Sequence, residues 1–141
     1  MAEASTDWSM RAAVSNALVG LHKQQFGRGP TKARTDFAGP DVLVTVLQNA
    51  LLPAEKALAE MGEHIRVMEA RAFFEEATRD QFIRTIEEIV RRKIYSFHST
   101  CDPRTGIVIE IAVFEPPDSD GGADGNGAGS TQSQAAPEET G

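Results

Sequence analysis

Apolar residues recur along this chain with two different periods. From Met10 through Val14, Ala17, Leu18 and Leu21 to Phe26 they follow the 3.6-residue period of a helix, with Ser5, Thr6 or Asp7 placed to cap its start. Gly27 and Gly29 then supply the left-handed backbone that ends helices, and Pro30 forbids continuation. Residues 31–38 read as a strand with one polar face, which marks a sheet edge. Gly39-Pro40-Asp41 is turn chemistry. Val42 to Leu47 is β-branched and apolar on both faces, as a central strand is, and pairs with the preceding strand as a hairpin.

Pro53 opens a short helix that Gly62 breaks. A long helix is predicted over residues 63–92, with Ile65, Met68, Ala72, Phe73, Phe82, Ile86, Ile89 and Val90 as its apolar stripe. The stripe weakens between Glu75 and Arg79, which suggests a kink or an exposed middle. Residues 93–101 read as a third strand, with Tyr95 and Phe97 on one face and Ser96, His98 and Thr100 on the other. Asp102 to Gly106 is a type I turn closed by a glycine bulge. Residues 107–114 form a fourth strand, apolar on both faces except at Glu110.

The order α-β-β-α-α-β-β predicts an α+β fold. Its core is one four-stranded antiparallel sheet, order 1-2-4-3, with helices mainly on one face. Residues 1–6 read as a frayed end, 7–117 as the single domain, and 118–141 as a disordered acidic tail rich in Gly and Ser. The two-sided apolarity of the second and fourth strands leaves one sheet face to be covered. A second subunit covers it most simply, giving a homodimer; the alternative is the first helix crossing over.

Charge sharpens this outline. Six acids and no Lys or Arg fall after Phe114, which leaves about −1 of the chain's −7 on residues 1–114. A near-neutral domain has no footprint for duplex nucleic acid. One cysteine, Cys101, excludes an internal disulfide and suits a cytoplasmic location. The start of the chain does not read as a signal peptide, and no stretch is long enough for a transmembrane segment.

The run SNALVGLHKQQFGRGPTKAR, Ser15 to Arg34, resembles the bacterial MpsC-like family, long catalogued as a domain of unknown function. GRGPTKAR is the most specific part. The segments RDQFIRTIEEIVRRKIYSF and IEIAVFEP resemble the family's closing helix and strands, so the resemblance reaches Pro116. It implies a compact domain named after a Na+-translocating, membrane-potential-generating system. The expected role is an accessory or regulatory component of a cation- or bicarbonate-linked membrane system, with a membrane-transport protein as partner. It implies no catalytic set.

The Gly27–Arg34 loop is the candidate site. Backbone N–H groups around glycines can cradle an anion, and Arg28, Gly29, Lys32 and Arg34 supply donors and charge. A small anion or nucleotide is the implied ligand. The alternative is a tight turn beside a strand blunted by charge. No P-loop pattern is present.

Other groups point to structure rather than chemistry. His22, His64 and His98 are isolated, which fits surface or partly packed histidines and no metal site. Glu75–Arg79, Asp80–Arg84, Glu87–Arg91 and Glu88–Arg92 have the spacing of exposed helix ion pairs, worth about 0.2–0.5 kcal/mol each. Ser96, His98 and Cys101 share a hairpin, but Cys101 falls on the face opposite His98 and no orienting acid accompanies them. The chain therefore reads as non-enzymatic, without a cofactor.

Overall fold

The computed structural model describes residues 2–116; the acidic tail lies outside them. Helix α1 (Ala2–Phe26) begins ahead of the expected cap at residues 5–7. It ends where Gly27 turns to φ +85° and donates its N–H to the Lys23 carbonyl at 2.8 Å. At Gly29 a Cβ would meet the Val19 carbonyl oxygen at 3.0 Å, so close passage of the chain over α1 requires glycine there. Strands β1 (Lys32–Phe37) and β2 (Val42–Gln48) form the first hairpin. Helices α2 (Pro53–Glu60) and α3 (His64–Val90) follow. Strands β3 (Ile94–Asp102) and β4 (Ile107–Phe114) close the chain through the Gly106 turn.

The sheet is antiparallel throughout, in the order β1-β2-β4-β3. Helix α1 packs on β1 and α3, and α3 packs on β3, so the helices lie mainly on one face. The first helix does not cross to the other face.

Alternation along the strands separates the two faces. Leu43 and Leu47 of β2, Val108, Ala112 and Phe114 of β4, and Phe97 and Cys101 of β3 are buried under the helices. Val42, Val44 and Val46, with Ile109, Ile111 and Val113, form the opposite face and are only half-buried. A register shift between Ile94 and Ser96 turns Tyr95 outward, 78% exposed, instead of onto the face of buried Phe97.

The core consists of two apolar clusters. One joins Val14 and Leu18 of α1 to Leu43, Phe97, Ala112 and Phe114 of the sheet and to Phe82 and Ile86 of α3. The other joins Leu47, Ala50, Leu51, Val67, Cys101 and Val108.

Helix α3 departs from its expected stripe. Phe82 and Ile86 are buried, but Ile65 and Phe73 are 69% and 71% exposed and Met68 is also exposed. The buried positions of its first half are Val67 and Arg71, one residue off the pattern. The helix is unbroken across residues 75–79, and the Thr78 hydroxyl bonds back to the Phe74 carbonyl at 2.9 Å.

None of the four i,i+4 ion pairs forms. Arg79 donates to the Phe97 carbonyl, Arg92 pairs with Asp41, Glu87 accepts the Ile94 N–H and Glu75 accepts from Ser99. Each of these four charges is drawn toward a sheet or turn partner. A fixed tertiary acceptor outcompetes a mobile neighbour on a solvated helix face.

Candidate functional site

The Gly27–Arg34 hinge divides its charges between different tasks. The Arg28 guanidinium Nη1 donates to the Leu51 carbonyl, and the side chain is half-buried. The neighbouring Ala50 carbonyl accepts from Arg71 Nη2 at 2.7 Å. Two arginines, one from the hinge and one from α3, thus hold consecutive carbonyls of the β2–α2 connection. That connection turns sharply, with Asn49 at φ +56°. Arg34 is exposed and pairs with Asp36 at 2.9 Å. Lys32 is exposed and has no hydrogen-bond or ion-pair partner among the described residues. Lys32 and Arg34 do share the outer sheet face, where they line a groove with Val46 and Gln48. Gly29 belongs to the close crossing over α1.

Phe26, the last residue of α1 before the hinge, covers a buried charge. The Arg71 guanidinium carbon sits 4.0 Å from the centre of its ring. Arg71 is 1% exposed and makes a two-pronged pair with Glu55, Nε to Oε2 at 2.8 Å and Nη2 to Oε1 at 2.7 Å. Glu55 also accepts the Leu52 N–H at 2.8 Å and so caps α2. Nε and Nη2 meet oxygen acceptors and the guanidinium stacks on an aromatic ring, the kind of pairing under which a buried charge is tolerated.

A second polar element crosses the core beside it. Thr35, Thr45, Glu110 and Ser99 lie in one row across all four strands, on the helix-covered face. Ser15 of α1 meets the Thr35 hydroxyl at 2.8 Å, and Thr35 meets Thr45 at 2.9 Å. Ser99 lies 3.0 Å from Glu75 Oε2 of α3 and 3.1 Å from Glu110 Oε2. His22 Nε2 completes the row through a long 3.4 Å contact with Glu110 Oε2.

The row separates the two apolar clusters. Leu43, Ala112 and Phe97 lie on one side of it; Leu47, Val108 and Cys101 lie on the other. His22 and Glu110 are each 3% exposed, and His22 Nδ1 and Glu110 Oε1 have no partner. A cavity of about 10 Å3 adjoins them, lined in part by Gln25, Thr78 and Phe82. That is about the space of one water molecule. Burial raises the Glu75 carboxyl above its ordinary 4.5, with Glu110 adding to the effect and the Ser99 hydrogen bond opposing it. No group of three or more His, Cys, Asp or Glu among the described residues is arranged to hold a metal ion.

His22 is therefore buried rather than at the surface. Among the other histidines, His64 is half-buried and His98 is exposed. His98 Nε2 lies 2.6 Å from the Ser96 hydroxyl, on the face opposite Cys101 as its strand position requires. Burial pushes the Cys101 thiol up to about 11, which keeps it protonated and unreactive at neutral pH.

The sequence signal for the row was slight. Glu110 is the one polar residue in an otherwise apolar strand, and Thr35, Thr45 and Ser99 become a set only when the register aligns them. The Arg71 site had no signal, since an arginine inside a helix ordinarily faces water.

A family profile described as the Na+-translocating membrane potential-generating system (MpsC) matches residues 6–116. The chain belongs to the MpsC family. The match spans the whole α+β domain, from the first helix past the last strand. No curated protein and no solved structure matches the chain. Among the described residues, no helix of this MpsC domain is long and apolar enough to cross a membrane.

Proposed function

We propose that this MpsC domain is a non-enzymatic accessory component of a cation-linked membrane system. It works as a homodimer on the cytoplasmic side and acts through contacts with a membrane-transport protein. Family membership supplies the link to a Na+ membrane-potential system. The observation that carries the contact role is the exposed apolar surface of the first half of α3 and the turn before it. Met61, Ile65 and Phe73 are each about 70% exposed, and Met68 lies between them. Methionine adapts to partner surfaces, and a cluster of this kind at one end of a domain is characteristic of protein docking.

The test compares wild type with Ile65→Glu/Phe73→Glu, each purified from native membranes with mild detergent. Wild type is expected to co-purify with an integral cation-transport subunit, and the variant is expected to lose it while its circular dichroism is unchanged. Equal recovery with both proteins would remove α3 from the contact.

A small-anion or nucleotide reading of the hinge draws on one feature, the open groove lined by exposed Lys32 and Arg34. Arg28, committed to Leu51, serves that reading less well. Calorimetric titration with inorganic phosphate and with ATP separates the readings. Heat that disappears in Lys32→Ala/Arg34→Ala supports an anion site.

A further inference from the structure

The bare face of the sheet has a pattern that specifies its own partner. Its rows follow from the register. Lys32 neighbours Gln48, and Ile107 neighbours Asp102. The next row is Arg34, Val46, Ile109 and Thr100; then Asp36, Val44, Ile111 and His98. The two central columns are aliphatic and β-branched apart from Gln48. The β1 column carries the charges Lys32, Arg34 and Asp36, and the β3 column carries Asp102, Thr100 and His98.

Half-buried valine and isoleucine across two adjacent strands leave an apolar surface over which no helix of the described residues packs. Residues 117–141 contain no Val, Ile, Leu, Met or aromatic residue, so they offer no large apolar side chain to cover it.

We infer that this face pairs with the same face of a second copy about a two-fold axis parallel to the strands, bringing Lys32 of each copy over Asp102 of the other. This rests on the homodimer reading and specifies its arrangement. A two-fold axis along the strands lays β1 on the partner's β3 and β2 on the partner's β4, with the rows kept in register. Apolar columns then meet apolar columns. Lys32, whose side chain has no partner among the described residues, gains a carboxylate, and Asp36 comes over a histidine. An axis across the strands would instead lay β1 on the β1 of the other copy. Set between rows it puts Arg34 over Asp36, two groups already paired within the chain at 2.9 Å, with Asp36 also held by Arg11 at 3.0 Å; set on the Arg34 row it puts Lys32 over that same Asp36 but opposes the two Arg34 side chains. Packed sheets lie about 10 Å apart, which valine and isoleucine from both sides fill, with an angle of about −30° set by twist.

Size sets the strength. Four strands about 4.8 Å apart and about seven residues long give a footprint of roughly 450 Å2 per copy. Two such faces fall near the lower limit of specific interfaces, so the dimer is expected to be reversible at micromolar concentration.

The test is sedimentation equilibrium of the full chain and four variants, with circular dichroism as the check on folding. Wild type is expected to dimerise. Lys32→Asp and Asp102→Lys are each expected to weaken the dimer about tenfold or more by opposing like charges, and the double swap is expected to restore it. Val44→Lys/Ile111→Lys is expected to leave a folded monomer. A monomeric wild type would overturn both the homodimer and this arrangement. A wild-type dimer whose single swaps have no effect, or whose double swap gives no rescue, would leave the homodimer standing and overturn the arrangement. Since Asp102 also accepts the Arg104 N–H in its turn at 3.0 Å, a misfolded Asp102→Lys would leave the result to one mixture and its control. Lys32→Asp mixed with Asp102→Asn, and Lys32→Asp alone, are expected to differ in affinity; equal affinity would count against the pairing.

Discussion

The two halves of α3 belong to one unbroken helix yet face different demands. The second half buries Phe82 and Ile86 in an apolar cluster shared with α1 and the sheet. The first half buries Arg71 and turns Ile65, Met68 and Phe73 to solvent. In the second half the helix is placed by the area of oily surface it removes from water. In the first half a guanidinium reaches across to Glu55 and the Ala50 carbonyl and rotates the apolar stripe outward. A directional charge with several acceptors outweighs three hydrophobic side chains there, because those side chains lose only part of their burial while an unmatched buried charge costs several kcal/mol.

Matched phenylalanine truncations test that contrast most directly. Phe82→Ala is expected to destabilise the domain by about 3–5 kcal/mol, as large-to-small core changes do. Phe73→Ala, nine positions earlier on the same helix, is expected to change stability by no more than about 0.5 kcal/mol. Urea denaturation of both variants reads the difference. Comparable losses would mean that the first half of α3 is packed in solution.

Arg71→Ala is expected to cost about 3 kcal/mol, at the low end for breaking a buried pair, because Glu55 retains some exposure and can rehydrate. A smaller loss, below about 1 kcal/mol, would make the arginine an occupant of the site rather than its organiser. Arg28→Ala, which frees the Leu51 carbonyl, is expected to cost about 1.5–3 kcal/mol, the range for a hydrogen bond to a charged group. Arg34→Ala, at an exposed pair, is expected to cost at most about 1 kcal/mol. If the two hinge arginines prove equal, the clamp on the β2–α2 connection carries no weight.

The smallest effect concerns the polar row. Burial raises the Glu75 pKa, so the folded state favours the protonated acid and its ionised form costs stability at neutral pH. That cost is absent below the ordinary value of 4.5 and accumulates as pH rises through the raised value. Glu75→Gln is therefore expected to be more stable than wild type at pH 7, with the advantage gone by pH 4.5. An advantage that does not change between the two pH values would show that the carboxylate is not desolvated.

Much of the architecture is readable from residues in series. Glycines 27, 39, 62 and 106 mark the breaks, and each takes a positive φ. The two-sided apolarity of β2 and β4 places them at the centre, since a strand with no polar face needs neighbours on both edges and surface on both sides. The hinge is different. Its positive charges are plain in the sequence, but whether Arg28 faces a ligand or a carbonyl depends on where residues 50 and 51 pass, and they lie more than twenty positions away.

The sequence by itself determined the elements, their order and the strand arrangement, because helix and strand periods, glycine breaks and prolines act over a few residues. Only the tertiary structure decided which charges are buried and with whom. Thr35, Thr45, Glu110 and Ser99 form one row because three separate strand registers coincide, and Arg71 is buried because α2, the β2–α2 connection and Phe26 converge on it. Hydrogen bonds and ion pairs depend on distance and direction in space, and pairing residues far apart in the chain is something no local pattern records.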